Sequence, residues 1–214
     1  LFAENGRLLD SQGRITLDTP EALRALENYR ETYSYSDRTI YDFWKNALEG
    51  FADGTAAMTV VFINYASHIL NSQMSRIAGK LGFAPVPGGK PLLGGGVIGI
   101  AQSCTCPAAA CKFLEWLYAD LVAPVFTMLG GLSPCRSAYS NRDISEQYPW
   151  LSTARKSFPT AQRRSNSTYY QNFSELQLET ILAAHVQQAV LGVCSPEEAL
   201  KQAQEDCNRY FQPW

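Results

Sequence analysis

Six consecutive residues, Ala57-Met-Thr-Val-Val-Phe62, form a run that is nearly all apolar, rich in β-branched side chains and too short for an ordinary helix. Such a run, set between stretches of helical periodicity, predicts a strand buried on both faces. Val97 to Ala101 predicts a second one. Between and around them the period changes. Leu23, Leu26, Tyr29 and Tyr33 recur at helical spacing behind the start signal Asp18-Thr19-Pro20-Glu21. There Pro20 forgoes an N–H that the first turn leaves unpaired anyway, and Glu21 meets the positive end of the helix dipole. Helices alternating with buried strands predict an α/β architecture built in layers.

Further helices follow from the same logic. One is predicted over Thr39 to Glu49, with Tyr41, Trp44 and Leu48 on a core-facing stripe and Gly50 and Gly54 breaking it. Others are predicted over His68 to Met74, from Pro107 through Phe113, Leu114, Leu117 and Tyr118, and over Leu121 to Met128. Gly82 to Gly89 alternates Gly and Pro too closely to be helical. Residues 140–173 are polar, interrupted by Pro149 and Pro159, and read as irregular. Ser174-Glu-Leu-Gln177 and Ser195-Pro-Glu-Glu198 are capping boxes that open two final helices, the first ending near Gly192.

Composition removes whole classes of function. With 214 residues, 46% of them hydrophobic, the chain can bury a sizeable core. Its 18 basic and 20 acidic residues give a formal charge of -2, no field to attract nucleic acid or an anionic membrane. Cys104, Cys106 and Cys111 lack a C-x-x-C knuckle and would need Cys135 to complete a zinc site, so the six cysteines are read as reduced, buried thiols. His68 and His185 have no second imidazole or carboxylate at i+4. No H-E-x-x-H, G-x-S-x-G or strand-borne G-x-G-x-x-G is present, so the chain is not expected to be an enzyme and no cofactor is implied. Gly88-Gly-Lys-Pro91 fails as a phosphate loop, and the sequons at Asn166 and Asn172 are given no role.

Phe51-Ala-Asp-Gly-Thr-Ala-Ala-Met58, Gly82-Phe-Ala-Pro-Val-Pro-Gly-Gly89, Leu93-Gly-Gly-Gly-Val-Ile-Gly-Ile100, the helix from Ala108 to Tyr118, Gly130 to Tyr139 and Ser195 to Leu200 carry a resemblance by their order and spacing. Together they resemble the C-terminal half of an extracellular solute-binding protein of family 1. The resemblance implies an α/β, periplasmic-binding-protein-like type II fold. Residues 1–83 would belong to the second lobe, 84–130 would return to the first, and 131–214 would form the second lobe's C-terminal helical segment. Opening at Leu1 without first-lobe strands, the chain reads as part of such a fold, and Val97 to Ile100 would then present an unpaired edge that favours self-association. Leu129 to Tyr139, Tyr148-Pro-Trp-Leu151 and Arg163-Arg-Ser-Asn166 also resemble the sensor half of GntR-type regulators. The implied function is capture of a small solute, a carbohydrate above all, by lobe closure. The partner would be an ABC permease in the exported case. In the regulator case it would be DNA, reached only through a winged helix absent here.

Candidate ligand residues follow from that resemblance. Asn64 and Tyr65 follow the first predicted strand, where relatives place an aromatic against a pyranose face. Asn64 can donate and accept, while Tyr65 can equally be a core aromatic. Gly94 and Gly95 would let backbone approach a ligand closely, or form a flexible turn. Arg136 could fork onto a carboxylate or a diol, or make a surface salt bridge. Tyr169, Tyr170 and Asn172 combine stacking with hydrogen bonding, or simply pack a loop.

Overall fold

The computed structural model describes residues 1–36, 45–140, 144, 148–163 and 165–214. They fall into two compact units: unit 1 comprises Leu1–Thr39, Pro87–Gly94 and Ala161–Trp214, and unit 2 comprises Ile40–Val86 and Gly95–Thr160.

In unit 1, a 3-10 turn (Phe2–Glu4) precedes a tight hairpin that the sequence reading passed over. Leu9 bridges Ile15 in antiparallel fashion, and Asp10, Gln12, Gly13 and Arg14 close the turn between them. Gly13 holds a φ of 80°, a conformation open to glycine and strained for other residues. Helix α1 (Pro20–Tyr33) starts where its signal predicts, with the Thr19 hydroxyl accepting from Ala22 N. Its buried Ala22 and Leu26 pack with Ala189, Ala199 and Leu200. These come from α8 (Glu175–Val190) and α9 (Pro196–Tyr210), capped by Ser174 and Ser195 through bonds to Gln177 N and Glu198 N. A second cluster joins Ile15 and Leu17 of the hairpin to Tyr170, Leu178, Ala203, Cys207 and Phe211. Strand β1 (Leu92–Leu93) pairs in parallel with β2 (Gln162–Arg163), one short ladder within this unit.

Unit 2 is helical among the described residues: α2 (Lys45–Ala52), α3 (Ala66–Leu70), α4 (Pro107–Leu117), α5 (Val122–Met128), α6 (Ser137–Ser140) and α7 (Pro149–Ser157). Its core surrounds Trp150 and Leu151, 1% and 0% exposed, with Ala66, Ala123, Ala138, Tyr139 and Ala154 against them. Helix α7 lies in the stretch read as irregular. Pro149 there is the first helical residue, where proline fits, and the apolar face that follows it supplies the centre of the core.

Several expectations change. Gly50 does not break α2, which runs on to Ala52 before Gly54, at φ 82°, turns the chain. Tyr41 and Trp44, placed on that helix's stripe, lie outside the described residues. The helix expected over His68 to Met74 is instead Ala66–Leu70. Asn71 ends it by turning to ψ 113° while its side-chain oxygen accepts from Gln73 N at 2.9 Å. Neither buried strand of unit 2 forms: Met58 and Val60 are 87% and 72% exposed, and Val97 is fully exposed. The physical reason is that a β-branched run states a preference for a sheet but does not supply a neighbour. No ladder partner for either run stands among the described residues.

Candidate functional site

In unit 2, two loops carry three of the ligand candidates, Asn64, Tyr65 and Arg136. A single 3-10 turn, Ile63–Tyr65, leads directly into α3, leaving Asn64 exposed and Tyr65 half-buried. The loop after α5 comes up against this turn at Gly130. There φ is 95°, and a Cβ would stand 2.2 Å from Ser67 Oγ and 2.6 Å from Ser67 Cβ. Only glycine permits that approach.

A buried polar network holds the rest of the loop. Thr127, fully buried on α5, donates to Ala123 O at 2.9 Å and accepts from Ser133 N; Ser133 O accepts from Tyr139 Oη at 2.8 Å, and Ser133 Oγ accepts from Cys135 N. Burial pushes the Tyr139 phenol above its ordinary pKa, so it remains a donor to Ser133 O at every physiological pH. The network fixes Arg136 at the head of α6, exposed, with no ion pair to its guanidinium among the described residues. Asn64 and Tyr65 thus sit on a turn that Gly130 packs against, and Arg136 on a loop that the polar network braces. Gly95 is also in unit 2, in an exposed stretch where a Cβ would meet nothing within 4 Å.

In unit 1, Gly94 follows β1, exposed, with its N–H given to Leu92 O. Tyr170 is 8% exposed; its ring lies among Phe173 and Phe211, and its hydroxyl accepts from Ile15 N at 3.0 Å. Asn172 uses both ends of its amide on the chain terminus, donating to Tyr210 O and accepting from Gln212 N. Both side chains thus hold unit 1 together. Tyr169, 37% exposed, stands edge-on to Tyr170 at 4.9 Å between ring centres. With Asp10, Arg14, Thr16, Asn208 and Pro213, it lines a recess of about 440 Å³.

Asp10 and Arg14 escaped the sequence reading. Their signal was an Asp-x-x-Gly turn, Asp10-Ser-Gln-Gly13, flanked by Leu8, Leu9, Ile15 and Leu17. Asp10 Oδ1 accepts from Gln12 N and Arg14 N, and Oδ2 accepts from Arg14 Nε at 2.8 Å. Those bonds, the Arg14 amide's first among them, hold the Asp10 carboxyl below the usual carboxylate range. No group of three His, Cys, Asp or Glu among the described residues could hold a metal ion, and all six thiols are free.

Comparison with known proteins gives this geometry its context. The profile of the family described as bacterial extracellular solute-binding protein matches residues 1–153. Among solved structures, maltose-bound MalE3 of T. maritima is similar over 97% of this chain and 55% of its own, at 23% identity and a TM-score of 0.79. An ABC transporter solute-binding protein of Agrobacterium radiobacter K84, in complex with ribitol, matches 98% of this chain and 54% of its own at 22% identity and a TM-score of 0.70. One from Agrobacterium vitis S4, with bound D-mannitol, gives 97%, 55%, 20% and 0.68. The chain thus spans about half the length of these proteins, and at such identities the likeness is one of fold, the periplasmic-binding-protein-like α/β fold. With the profile covering more than two thirds of its residues, the chain belongs to the bacterial extracellular solute-binding proteins.

Proposed function

We propose that this chain takes part in capturing a small polyhydroxylated solute, a sugar or a sugar alcohol, without chemical turnover, and that Asn64, Tyr65 and Arg136 provide its contacts in unit 2. The braced turn and loop carry the reading. An exposed amide that both donates and accepts and a half-buried aromatic stand on the turn that Gly130 approaches, and an exposed guanidinium with no ion pair among the described residues follows a loop held by a buried network. Hydroxyl groups need paired donors and acceptors, and carbon-bound faces need an aromatic. The exposed glycine Gly95, in the same unit, would admit a ligand close to backbone. Maltose, ribitol and D-mannitol in the structurally similar proteins support the solute class. Delivery to an ABC permease is the role we infer from the family, with effector sensing as the other use of the same capture.

Thermal unfolding of the full chain with maltose, ribitol and D-mannitol tests this. A ligand at one hundred times its Kd stabilises the native state by about 2.7 kcal/mol, an increase in Tm that a scan resolves. Arg136→Ala should weaken the response roughly tenfold in ligand concentration while leaving the unliganded Tm unchanged, since the guanidinium carries no ion pair among the described residues. Equal responses from Arg136→Ala and the parent chain would remove Arg136 from the site.

A further inference from the structure

Ser133 is held at both ends of its backbone by side chains from different helices. Its N–H donates to Thr127 Oγ at 3.4 Å, and Thr127 is fully buried on α5 with its own hydroxyl proton given to Ala123 O. Its carbonyl accepts from Oη of Tyr139, 5% exposed on α6, at 2.8 Å. The phenol makes the better bond of the two: 3.4 Å lies at the long edge of N–H···O bonding, whereas 2.8 Å is an ordinary O–H···O distance. The ring is fixed in its turn. It stands edge-on to Phe158, with 5.0 Å between ring centres, and belongs to the cluster around Trp150 and Leu151. One hydroxyl therefore ties this loop to the core of unit 2.

Only Pro134 and Cys135 separate that anchor from Arg136. Proline fixes its own φ, and Cys135 gives its N–H to Ser133 Oγ at 3.2 Å and its thiol to Tyr118 O at 3.6 Å. On the far side, Arg136 O accepts from Tyr139 N and from Ser140 Oγ. The backbone of Arg136 is thus held from both directions, while its guanidinium is exposed with no ion pair among the described residues. An arginine that orders on a ligand loses rotamer freedom, and on a slack loop it loses backbone freedom as well; a loop fixed beforehand removes the second cost. We propose that Tyr139 is a positioning residue for capture: through Ser133 it holds the Arg136 backbone ready, without itself touching the solute. The proposal rests on the capture reading and adds to it a buried residue outside the set of ligand contacts. Without the phenol, the carbonyl of buried Ser133 loses its donor, and the loop must shift or leave that oxygen unpaired.

A double-mutant cycle on the full chain, read by isothermal titration calorimetry with maltose, ribitol and D-mannitol, tests this. Tyr139→Phe keeps the ring against Phe158 and deletes the hydroxyl alone. It should raise the Kd of the tightest of the three solutes about tenfold, whereas the same substitution made beside Arg136→Ala should change Kd less than about twofold. A merely structural role would weaken binding equally in both backgrounds. If Tyr139→Phe loses the native circular dichroism spectrum, Ser133→Ala, which releases the Cys135 amide, replaces it, with an expected loss of about fivefold that also vanishes beside Arg136→Ala. Parental affinity in Tyr139→Phe, or a loss that persists beside Arg136→Ala, would overturn the positioning role and leave capture standing. An Arg136→Ala chain that binds as the parent does would remove both residues from the site. No binding of any of the three solutes by the parent would overturn the proposal together with the capture reading.

Discussion

Gly130 shows how a single hydrogen in place of a methyl group can position a whole loop. Its φ of 95° and its fit against Ser67 bring the chain after α5 onto the turn that bears Asn64 and Tyr65. An alanine there meets two penalties at once, a strained backbone and a collision with a side chain on a neighbouring helix. Gly130→Ala should therefore destabilise unit 2 by about 2 kcal/mol or more and weaken any response to sugars, measured by urea unfolding and by the thermal scan. A variant that unfolds at the parent's midpoint would show that the loop relaxes freely. The sequence displays Gly130-Gly131 as an obvious turn, but nothing in it identifies Ser67 as the neighbour. That fact is tertiary.

At the scale of elements, the pairing of α8 with α9 carries a titratable link. His185 Nε2 donates to Asp206 Oδ2 at 2.8 Å, and Arg209 on the same helix as Asp206 bonds the other carboxylate oxygen. The bond from His185 first, and the charge of Arg209 after it, hold the Asp206 carboxyl below its ordinary pKa. A carboxyl depressed in the native state contributes stability that is present above its unfolded pKa of about 3.9 and lost as pH falls through the lower native value. The difference in urea midpoint between the parent and Asp206→Asn should accordingly be full at about pH 6 and shrink below about pH 4; a difference independent of pH would exclude the link. Both helices of this pair were legible in the sequence, because a Ser cap followed by an acidic or amide side chain three residues on is a local signal needing no neighbour. Helix α7 was not. Its polar surroundings and Pro149 hid a core face that only burial against Ala66, Ala123 and Ala138 reveals. The hairpin at Asp10 was missed for a related reason: its turn signal is plain, but its role as a recess wall depends on Tyr169 and Asn208, far away in the chain.

For the molecule as a whole, the most consequential surface is the one the strand-like runs leave uncovered. Met58, Val60, Val97 and Ile98 are more than half exposed, as are Phe113 and Trp116 of α4, a helix with no buried residue. Extended apolar backbone without a ladder is a template for pairing with another chain. Concentration-dependent association is therefore expected in light scattering, and Val97→Lys, at a fully exposed position, should reduce it; a clean monomer at high concentration would contradict this. The same runs explain why the fold class could be read correctly while its strands could not. Residue preference is written locally, whereas the partner strand is not. At the opposite extreme stands Cys207, fully buried in the core of unit 1, where burial pushes its thiol up to about 11. A thiol kept protonated and sealed reacts with a maleimide only when that core opens, whereas the exposed Cys106 and Cys111 react at once. The chain thus has a built-in clock: in a variant keeping Cys207 alone, the slow labelling step should quicken with urea in step with the opening of unit 1. A labelling rate insensitive to urea would mean that Cys207 is reached by local breathing instead.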